Sequence, residues 1–203
     1  MILKTKRLIL RKPRKSDWKD LVEGCNDLET AKYVSTMPHP YTKKDAEFWI
    51  KKCKKAWMKK KKDRYYFFIE LNSEKKMIGA IAVSNIKNFI GKCETGSWIN
   101  KEYRRKAYMT EAKIAVNEFV FNKLKLRKME TSVFSFNNAS NATQKGIGYK
   151  YEGKRIQSHR CLATKKIHDE MLYGLMKSDW KKNLPKLKKK LESKIKKLEA
   201  HKN

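Results

Sequence analysis

The sequence predicts a mixed α/β domain, in which an antiparallel meander of strands is followed by a strand–helix–strand crossover. Residues 65–71 and 77–83 are strongly β-prone runs separated by turn residues, which is typical of a β-hairpin. Residues 109–124 carry apolar side chains at helical spacing. They lie between two further β-prone runs, 93–99 and 128–134, so a crossover is expected to join these two strands.

The N-terminal part is predicted to contain one short strand and two helices. Residues 7–11 alternate as a strand does, and Ser16 is the expected N-cap of the first helix. Two prolines place residues 34–41 in a loop, after which Thr42 is expected to cap a helix that runs to about residue 61. The inward-facing residues are Trp18, Leu21 and Val22 in the first helix and Ala46, Trp49, Ile50, Cys53 and Trp57 in the second.

The C-terminal half of the domain is predicted to alternate helices and strands. A short helix covers residues 138–147 and ends at Gly148, and residues 149–156 and 171–176 are the last strands. The inward-facing residues of the preceding helix are Ala112, Ala115, Val116, Phe119 and Val120.

After Trp180 the composition changes, so we divide the chain into a domain of residues 1–180 and a lysine-rich helix of residues 181–203. This last segment places Leu184, Leu187, Leu191, Ile195 and Leu198 at helical steps, which predicts a basic amphipathic helix. Packing of that stripe on the domain or on a twin subunit is the favoured interpretation, and attachment to RNA or to a membrane surface is the alternative. The protein is therefore expected to be a monomer or a homodimer.

Composition restricts the class of protein. With 203 residues, 40% of them apolar and 11% aromatic, the chain can bury a sizeable core. Its four cysteines show no C-x-x-C and no Cys/His ligand spacing, so we expect reduced thiols and no metal site. Neither a signal-peptide core nor a run of ~20 apolar residues is present. We therefore expect a cytoplasmic protein without an integral membrane segment.

The charge of the chain is unusual, because 51 Lys and Arg residues face only 21 Asp and Glu residues, a formal net charge of +30. Such a surplus favours an acidic partner such as RNA, a ribosome or an anionic membrane surface. Heavy use of lysine for solubility also accounts for it. The charge by itself therefore names no substrate.

A basic loop between a strand and a helix is the clearest functional signal. The stretch G-S-W-I-N-K-E-Y-R-R-K-A-Y-M-T-E-A begins at Gly96 as a strand and enters a helix near Met109. The unpaired amides and the dipole of that helix favour an anion, and Arg104, Arg105 and Lys106 flank the same place. Because neither G-x-x-x-x-G-K-[ST] nor G-x-G-x-x-G is present, we expect a phosphate site of another kind.

The loop resembles the acetyl-CoA pyrophosphate loop of the GNAT N-acetyltransferases, Q/R-x-x-G-x-G/A. Y-R-R-K-A-Y-M-T-E-A is similar to the Y-x-G-K-G-Y-x-T-E-A form of the Rim-type ribosomal-protein N-terminal acetyltransferases, except that Arg105 and Ala107 replace glycines. T-K-R-L-I-L-R at residue 5, N-N-A-S at residue 137 followed by G-Y-K-Y-E-G, and K-I-H-D-E-M-L-Y at residue 166 resemble three further motifs of that group. Together the four motifs cover nearly all of residues 5–180.

The resemblance implies a GNAT fold, a mainly antiparallel sheet of six to seven strands flanked by helices. It also implies transfer of an acetyl group from acetyl-CoA, the cosubstrate, to a primary amine. The carbonyl would sit where strand 93–99 parts from strand 128–134. The implied cofactor contacts are the backbone of Trp98 and Ile99 for pantetheine, Arg104, Arg105, Lys106, Ala107, Tyr108 and Met109 for the pyrophosphate, and Asn137 from the next loop.

The catalytic groups are assigned by the same resemblance. Many GNAT enzymes place a tyrosine, the acid for the thiolate, where this chain has Gln144, so Ser140 of N-N-A-S is the candidate acid. The Rim-type base is a carboxylate after E-G, and counting to that position reaches Ser158 and His159, of which His159 has a neutral ring that can accept a proton. Glu94 is the second candidate base, acting through water. The candidate residues also have structural interpretations: Asn137 as a helix cap, Ser140 as a partner of the first-turn amides, His159 as a structural or exposed strand residue and Glu94 as a surface or ion-paired one.

Three functions are compatible with these observations. The first is acetylation of a protein N-terminal α-amine, as on a ribosomal protein, and the second is acetylation of a small amine such as a polyamine or an aminoglycoside. A polycation needs an acidic cleft on so basic a protein, and Asp17, Asp20, Glu23, Asp27 and Glu29 are the residues that could form one. The third is a non-catalytic module that binds RNA or the ribosome through its basic surface and tail.

Overall fold

One mixed sheet organises the computed structural model, which describes residues 1–200. Within that range its strands are β1 (Leu3–Lys4), β2 (Leu8–Arg11), β3 (Tyr65–Leu71), β4 (Lys76–Lys87), β5 (Lys92–Ile99), β6 (Lys128–Phe134), β7 (Lys150–Arg160) and β8 (Ile167–Met176). The order across the sheet is β1-β2-β3-β4-β5-β6-β8-β7. Neighbouring strands are antiparallel except β5 and β6, which are parallel and are joined by the predicted crossover.

Helices cover the two faces of this sheet. In the described part of the chain they are α1 (Trp18–Cys25), α2 (Leu28–Ala31), α3 (Lys43–Met58), α4 (Tyr108–Glu118), α5 (Asn138–Ile147) and α6 (Lys177–Ala200), and a π-helical turn (Phe119–Lys123) extends α4. None of these helices combines the length and the apolar content that crossing a bilayer requires.

The predicted class is confirmed, and the differences are local. The sheet has one strand more than predicted because Leu3 and Lys4 pair with Leu10 and Ile9. Thr42 caps α3 as expected, since its Oγ1 accepts from the Asp45 amide, although the helix ends at Met58 and not near residue 61. The expectation that Ser16 is an N-cap is wrong. Ser16 lies inside a 3-10 turn (Lys15–Asp17). The group that accepts from the Arg14 amide is a carboxylate oxygen of Asp17, at 2.6 Å.

The two faces of the sheet bury separate clusters. Helices α1 and α3 cover one face around Phe68 and Trp98, and α4 and α6 cover the other face around Phe67 and Phe121. The last helix, α6, begins at Lys177, before the predicted boundary. It packs its leucine stripe on the domain, with Leu187 and Ile195 buried and Leu184 and Leu191 partly buried. This packing agrees with the favoured interpretation of the segment.

Candidate functional site

A gap opens inside the sheet between β5 and β6. Their ladder consists of three pairs and ends where Glu94 faces Glu130. One further link follows, in which Thr131 Oγ1 donates to the carbonyl of Thr95 over 2.7 Å. Beyond it the two strands part, as the sequence analysis expected, and the gap leads toward the start of α4 from β5 and the start of α5 from β6.

The backbone of the basic loop adopts left-handed conformations at two positions. Arg105 has φ 65° and Ala107 has φ 64°. These are the two positions where the Rim-type pattern Y-x-G-K-G-Y-x-T-E-A has glycine. The loop therefore keeps a backbone conformation typical of glycine, although both residues carry a Cβ. Ala107 is also the N-cap of α4 and provides no side-chain cap. The first amides of α4 therefore lack a capping partner from that side chain, which fits a phosphate ligand.

The basic side chains of this loop differ in their environments. Arg104 Nη2 donates to Thr30 Oγ1 over 2.7 Å, which ties the loop to α2. Arg105 and Lys106 are exposed, and Lys106 Nζ lies 5.5 Å from the ring centre of Tyr103. The two exposed cations are therefore available to an anionic ligand, whereas Arg104 is engaged.

A buried carboxylate fixes the start of α4. Glu111, 3% exposed, accepts from the hydroxyl of Thr5 at 2.6 Å and from the amide of Arg7 at 2.9 Å. Its other oxygen pairs with Arg7 Nε at 2.7 Å, and the same guanidinium lies over the buried ring of Tyr108. The segment before β2 therefore holds the first turn of α4, and the negative charge of Glu111 is neutralised.

The remaining expected cofactor contacts lie on the strand and at the start of α5. Trp98 is buried with its ring against Gly24, where an added Cβ would be 3.1 Å from Trp98 Cζ3. Ile99 and Met109 pack partly buried against the cluster under α4. Asn137 Oδ1 accepts from the Ser140 amide at 3.1 Å, which is the capping geometry.

His159 contacts a carboxylate that the sequence analysis did not select. Its Nδ1 lies 2.9 Å from Glu170 Oε2, and Glu170 is only 5% exposed. Ser132 Oγ donates to the other oxygen of Glu170 at 2.8 Å, and Ser158 Oγ donates to Oε2 at 3.1 Å. An Nδ1 proton that faces this carboxylate leaves Nε2 as the proton acceptor of His159.

The two candidate bases do not belong to one site. Glu94 of β5 faces Glu130 of β6, which in turn faces Gly174 of β8. His159 of β7 faces His168, which is also in β8 but six residues away from Gly174. At about 3.3 Å per residue along β8 and about 4.8 Å per strand from β5 to β7, Glu94 and His159 lie on the order of 25 Å apart. Glu94 is exposed at the closed end of the gap and accepts from Asn85 Nδ2 at 2.7 Å.

His159 and Ser140 are found toward the same end of the sheet. Glu170 faces Phe134, the last residue of β6, and the backbone amide of Asn137 donates to the carbonyl of that residue. The open end of the gap therefore brings together β7, β8 and the start of α5.

An apolar pocket lies on the face covered by α1 and α3. Its volume is about 80 Å³, and no charged side chain lines it. Trp98 of β5 contributes one wall, so the pocket adjoins a strand that borders the gap. The lining residues are Cys25, Val34, Thr36, Met37, Tyr41, Trp49 and Trp98.

The five acidic residues that could form an acidic cleft, in the range 17–29, are all engaged. Asp17 is paired with Arg11 at 2.7 Å, and Asp20 accepts from the Met77 amide at 2.8 Å while burial raises its pKa. Although burial acts against it, hydrogen bonds from Thr30 and Lys101 hold the pKa of Asp27 below its ordinary value. The two remaining pairs are Glu23 with Lys76 at 2.6 Å and Glu29 with Lys32 at 2.7 Å.

Comparisons with known proteins agree with this geometry. The family model "Acetyltransferase (GNAT) domain" matches residues 7–150. "Uncharacterized N-acetyltransferase YnaD" of Bacillus subtilis (strain 168) is 27% identical over 183 residues, which are 89% of this chain and 99% of that protein.

Solved structures show the same fold. A ribosomal-protein-S5-alanine acetyltransferase from Vibrio fischeri has a TM-score of 0.72 and 19% identity, and the match covers 89% of this chain and 98% of that one. RimL, a ribosomal L7/L12 alpha-N-protein acetyltransferase in complex with coenzyme A, has a TM-score of 0.75 and 14% identity. That match covers 87% of this chain and 98% of the RimL chain.

Proposed function

The chain belongs to the GNAT acetyltransferase family, and from this premise we propose that its acceptor is the α-amine of a protein or peptide N-terminus. It is an N-acetyltransferase, and acetyl-CoA is its acyl donor. The observation that supports a peptide acceptor is that the five acidic residues in the range 17–29 are already engaged by other groups of the chain.

A polycationic acceptor is best bound by unpaired carboxylates, and the range 17–29 offers none. The five acidic residues that could attract a polyamine or an aminoglycoside are each bound to a cation or to a backbone amide. Releasing Asp17 would leave the buried guanidinium of Arg11 without this counter-charge, and releasing Asp20 would leave the Met77 amide without this acceptor. A small polycation would also approach a protein whose formal net charge is +30. Both arguments disfavour the small-amine alternative.

The apolar pocket suits a peptide. An N-terminal residue presents one amine next to a side chain, and a small uncharged side chain fits a cavity of about 80 Å³ with aromatic walls. The α-amine has a lower pKa than a lysine side chain, so a larger fraction of it is unprotonated near neutral pH. We therefore expect peptides that begin with a small apolar or hydroxylated residue to be preferred.

The loop before α4 fits the phosphates of acetyl-CoA, which supplies an acetyl group activated as a thioester. Its backbone at Arg105 and Ala107 turns as glycines would, and the first amides of α4 follow directly. Arg105 and Lys106 would add positive charge, while Asn137 would contribute from the next loop. The backbone of Trp98 and Ile99, at the border of the gap, would orient the pantetheine arm.

We assign the proton transfers to His159 and Ser140. His159 is the base that takes the proton of the acceptor amine, and Glu170 holds its ring and balances the charge that it gains. Ser140 is the acid that provides a proton to the departing sulfur, and its hydroxyl regains a proton from solvent water, to which His159 gives up the amine proton. Glu94 is the competing base, and its distance from His159 means that the two cannot act on the same proton.

Ribosomal proteins are the acceptors to test first. Two relatives of the same fold are named as ribosomal-protein acetyltransferases, and a strongly basic surface favours approach to the ribosome. The test is CoA release from acetyl-CoA with N-terminal peptides of ribosomal proteins, the same peptides with a blocked N-terminus and an internal lysine, and spermidine. Turnover on the free N-termini alone is the expected result. Turnover on spermidine or on the blocked peptides alone would refute the proposal.

A further inference from the structure

Within the described part of the chain, Lys113 is a buried cation without a carboxylate partner. In residues 1–200 the other buried charged side chains lie close to groups of opposite charge, as Arg11 does to Asp17 and Glu70, Glu111 to Arg7, and Glu170 to Arg155. Lys113 on α4 is 4% exposed, and its Nζ has one contact, with Gln144 Oε1 of α5 at 3.5 Å. Burial lowers the pKa of Lys113 to about 8.

Packing alone does not explain this residue. A buried ammonium loses its hydration, and one long contact with a neutral amide compensates only part of that loss. A methionine has a similar length and would fill the same space without that cost. The positive charge between α4 and α5 therefore calls for a role beyond stability.

Gln144 connects the ammonium to the start of α5. Its Nε2 lies 3.5 Å from Ser140 Oγ, one helical turn earlier. Because an ammonium has three donors and no acceptor, only the carbonyl end of the Gln144 amide can face Lys113. The amino end is then directed to Ser140, whose oxygen becomes an acceptor in that contact.

We propose that Lys113 is a positioning residue, which acts through Gln144 to set Ser140 as a hydrogen-bond donor toward the sulfur of the cosubstrate. With its oxygen accepting from Gln144, the hydroxyl proton of Ser140 is free to point away from α5. The inference rests on the proposed role of Ser140. It explains why a glutamine, which has no mobile proton, stands at the position where related enzymes have an acidic tyrosine.

The test is a double-mutant cycle of Lys113→Met and Ser140→Ala, measured as CoA release with acetyl-CoA and an alanine-initiated peptide. We expect Lys113→Met to lower kcat roughly tenfold, a part of what general acid catalysis contributes, with the KM for acetyl-CoA within about twofold. The thermal midpoint should not fall, because an unpaired buried charge is removed. In the Ser140→Ala background the same substitution should have no further effect.

Three results would overturn the inference. Equal losses of kcat in both backgrounds would show a structural effect, and an unchanged kcat in Lys113→Met would show no effect at all. An unchanged kcat in Ser140→Ala would remove Ser140 as the acid, and with it the role of Lys113. None of these results bears on the choice between peptide and polyamine acceptors, which the acceptor screen decides separately.

Discussion

Nδ1 of His159 lies 2.9 Å from Oε2 of Glu170, so a buried carboxylate on β8 orients a half-exposed histidine on β7. Replacing Glu170 by Gln keeps the size of the side chain and removes its charge. We expect kcat to fall roughly tenfold or more, since the ring loses both its orientation and the counter-charge of its protonated form. Steady-state kinetics on the peptide acceptor measure this.

Two further variants complete that experiment. Glu192→Gln changes an exposed carboxylate of α6 and should leave kcat as it is. Glu94→Gln separates the candidate bases, because a fall of kcat in that variant, with Glu170→Gln unaffected, would make Glu94 the base.

The left-handed backbone at Ala107 predicts a benefit from glycine. A left-handed conformation costs a Cβ-bearing residue about 1–2 kcal/mol, whereas glycine gives back about 0.5–1 kcal/mol through the entropy of the unfolded chain. Ala107→Gly should therefore be neutral or stabilising by up to about 1.5 kcal/mol, and it should lower the KM for acetyl-CoA.

The matched control is the same substitution within α4. Ala115→Gly should destabilise by about 1 kcal/mol, because that position is helical. Chemical denaturation of both variants tests the difference, and an equal loss at both positions would contradict the argument.

The buried ammonium of Lys113 predicts a dependence of stability on pH. Its pKa is lowered from 10.5 to about 8 by burial, so between these values the unfolded chain binds more protons than the folded one. Stability from this group therefore rises with pH across that window, by at most about 3 kcal/mol. The many exposed lysines also lose charge there, so the measurement is the difference in unfolding free energy between the protein and Lys113→Met. The advantage of the methionine variant should shrink from pH 8 to pH 10, and a constant difference would mean that Lys113 is not desolvated.

We predict that the packing of helix α6 contributes to the free energy of unfolding of the domain. Leu187 is 7% exposed in the cluster under α4, and truncating it to Ala should cost about 2–4 kcal/mol. Lys189→Ala, two residues away on the exposed side, should change stability by less than about 0.5 kcal/mol. Thermal unfolding of the two variants distinguishes a packed helix from a dispensable tail, which would show the same midpoint for both.

Much of the fold could be predicted from sequence because local patterns determine it. Tyr65–Leu71, Lys128–Phe134 and Asn138–Ile147 have the predicted bounds, since β-prone runs, turn residues and the closing Gly148 are visible along the chain. The N-cap prediction is wrong because the carboxylate of Asp17 is bound by the Arg14 amide and by Arg11. Arg11 is itself held by Glu70 of β3, and that long-range contact is not visible in the local sequence.

In the candidate site, the basic loop before α4 could be predicted from the sequence. The buried residues that contact the site's side chains could not. The pairing of Glu170 with His159 depends on the register of β7 and β8, which shifts between Arg155 and His159. Counting along one strand cannot give that shift. The burial of Lys113 had a weak signal, because the lysine lies between Ala112 and Ile114 in an apolar helix. Only the placement of α5 against that face shows that the ammonium is enclosed.

The packing of α6 on α4 also means that this part of the core cannot form during synthesis until α6 has been made. Phe121 at the end of α4 lies against Trp180 in the first turn of α6, about 60 residues later in the chain. At roughly 5–20 residues per second, a ribosome needs about 3–12 s to add that length. For that time the apolar end of α4 is without its cover, and the nascent chain is exposed to aggregation and to chaperones.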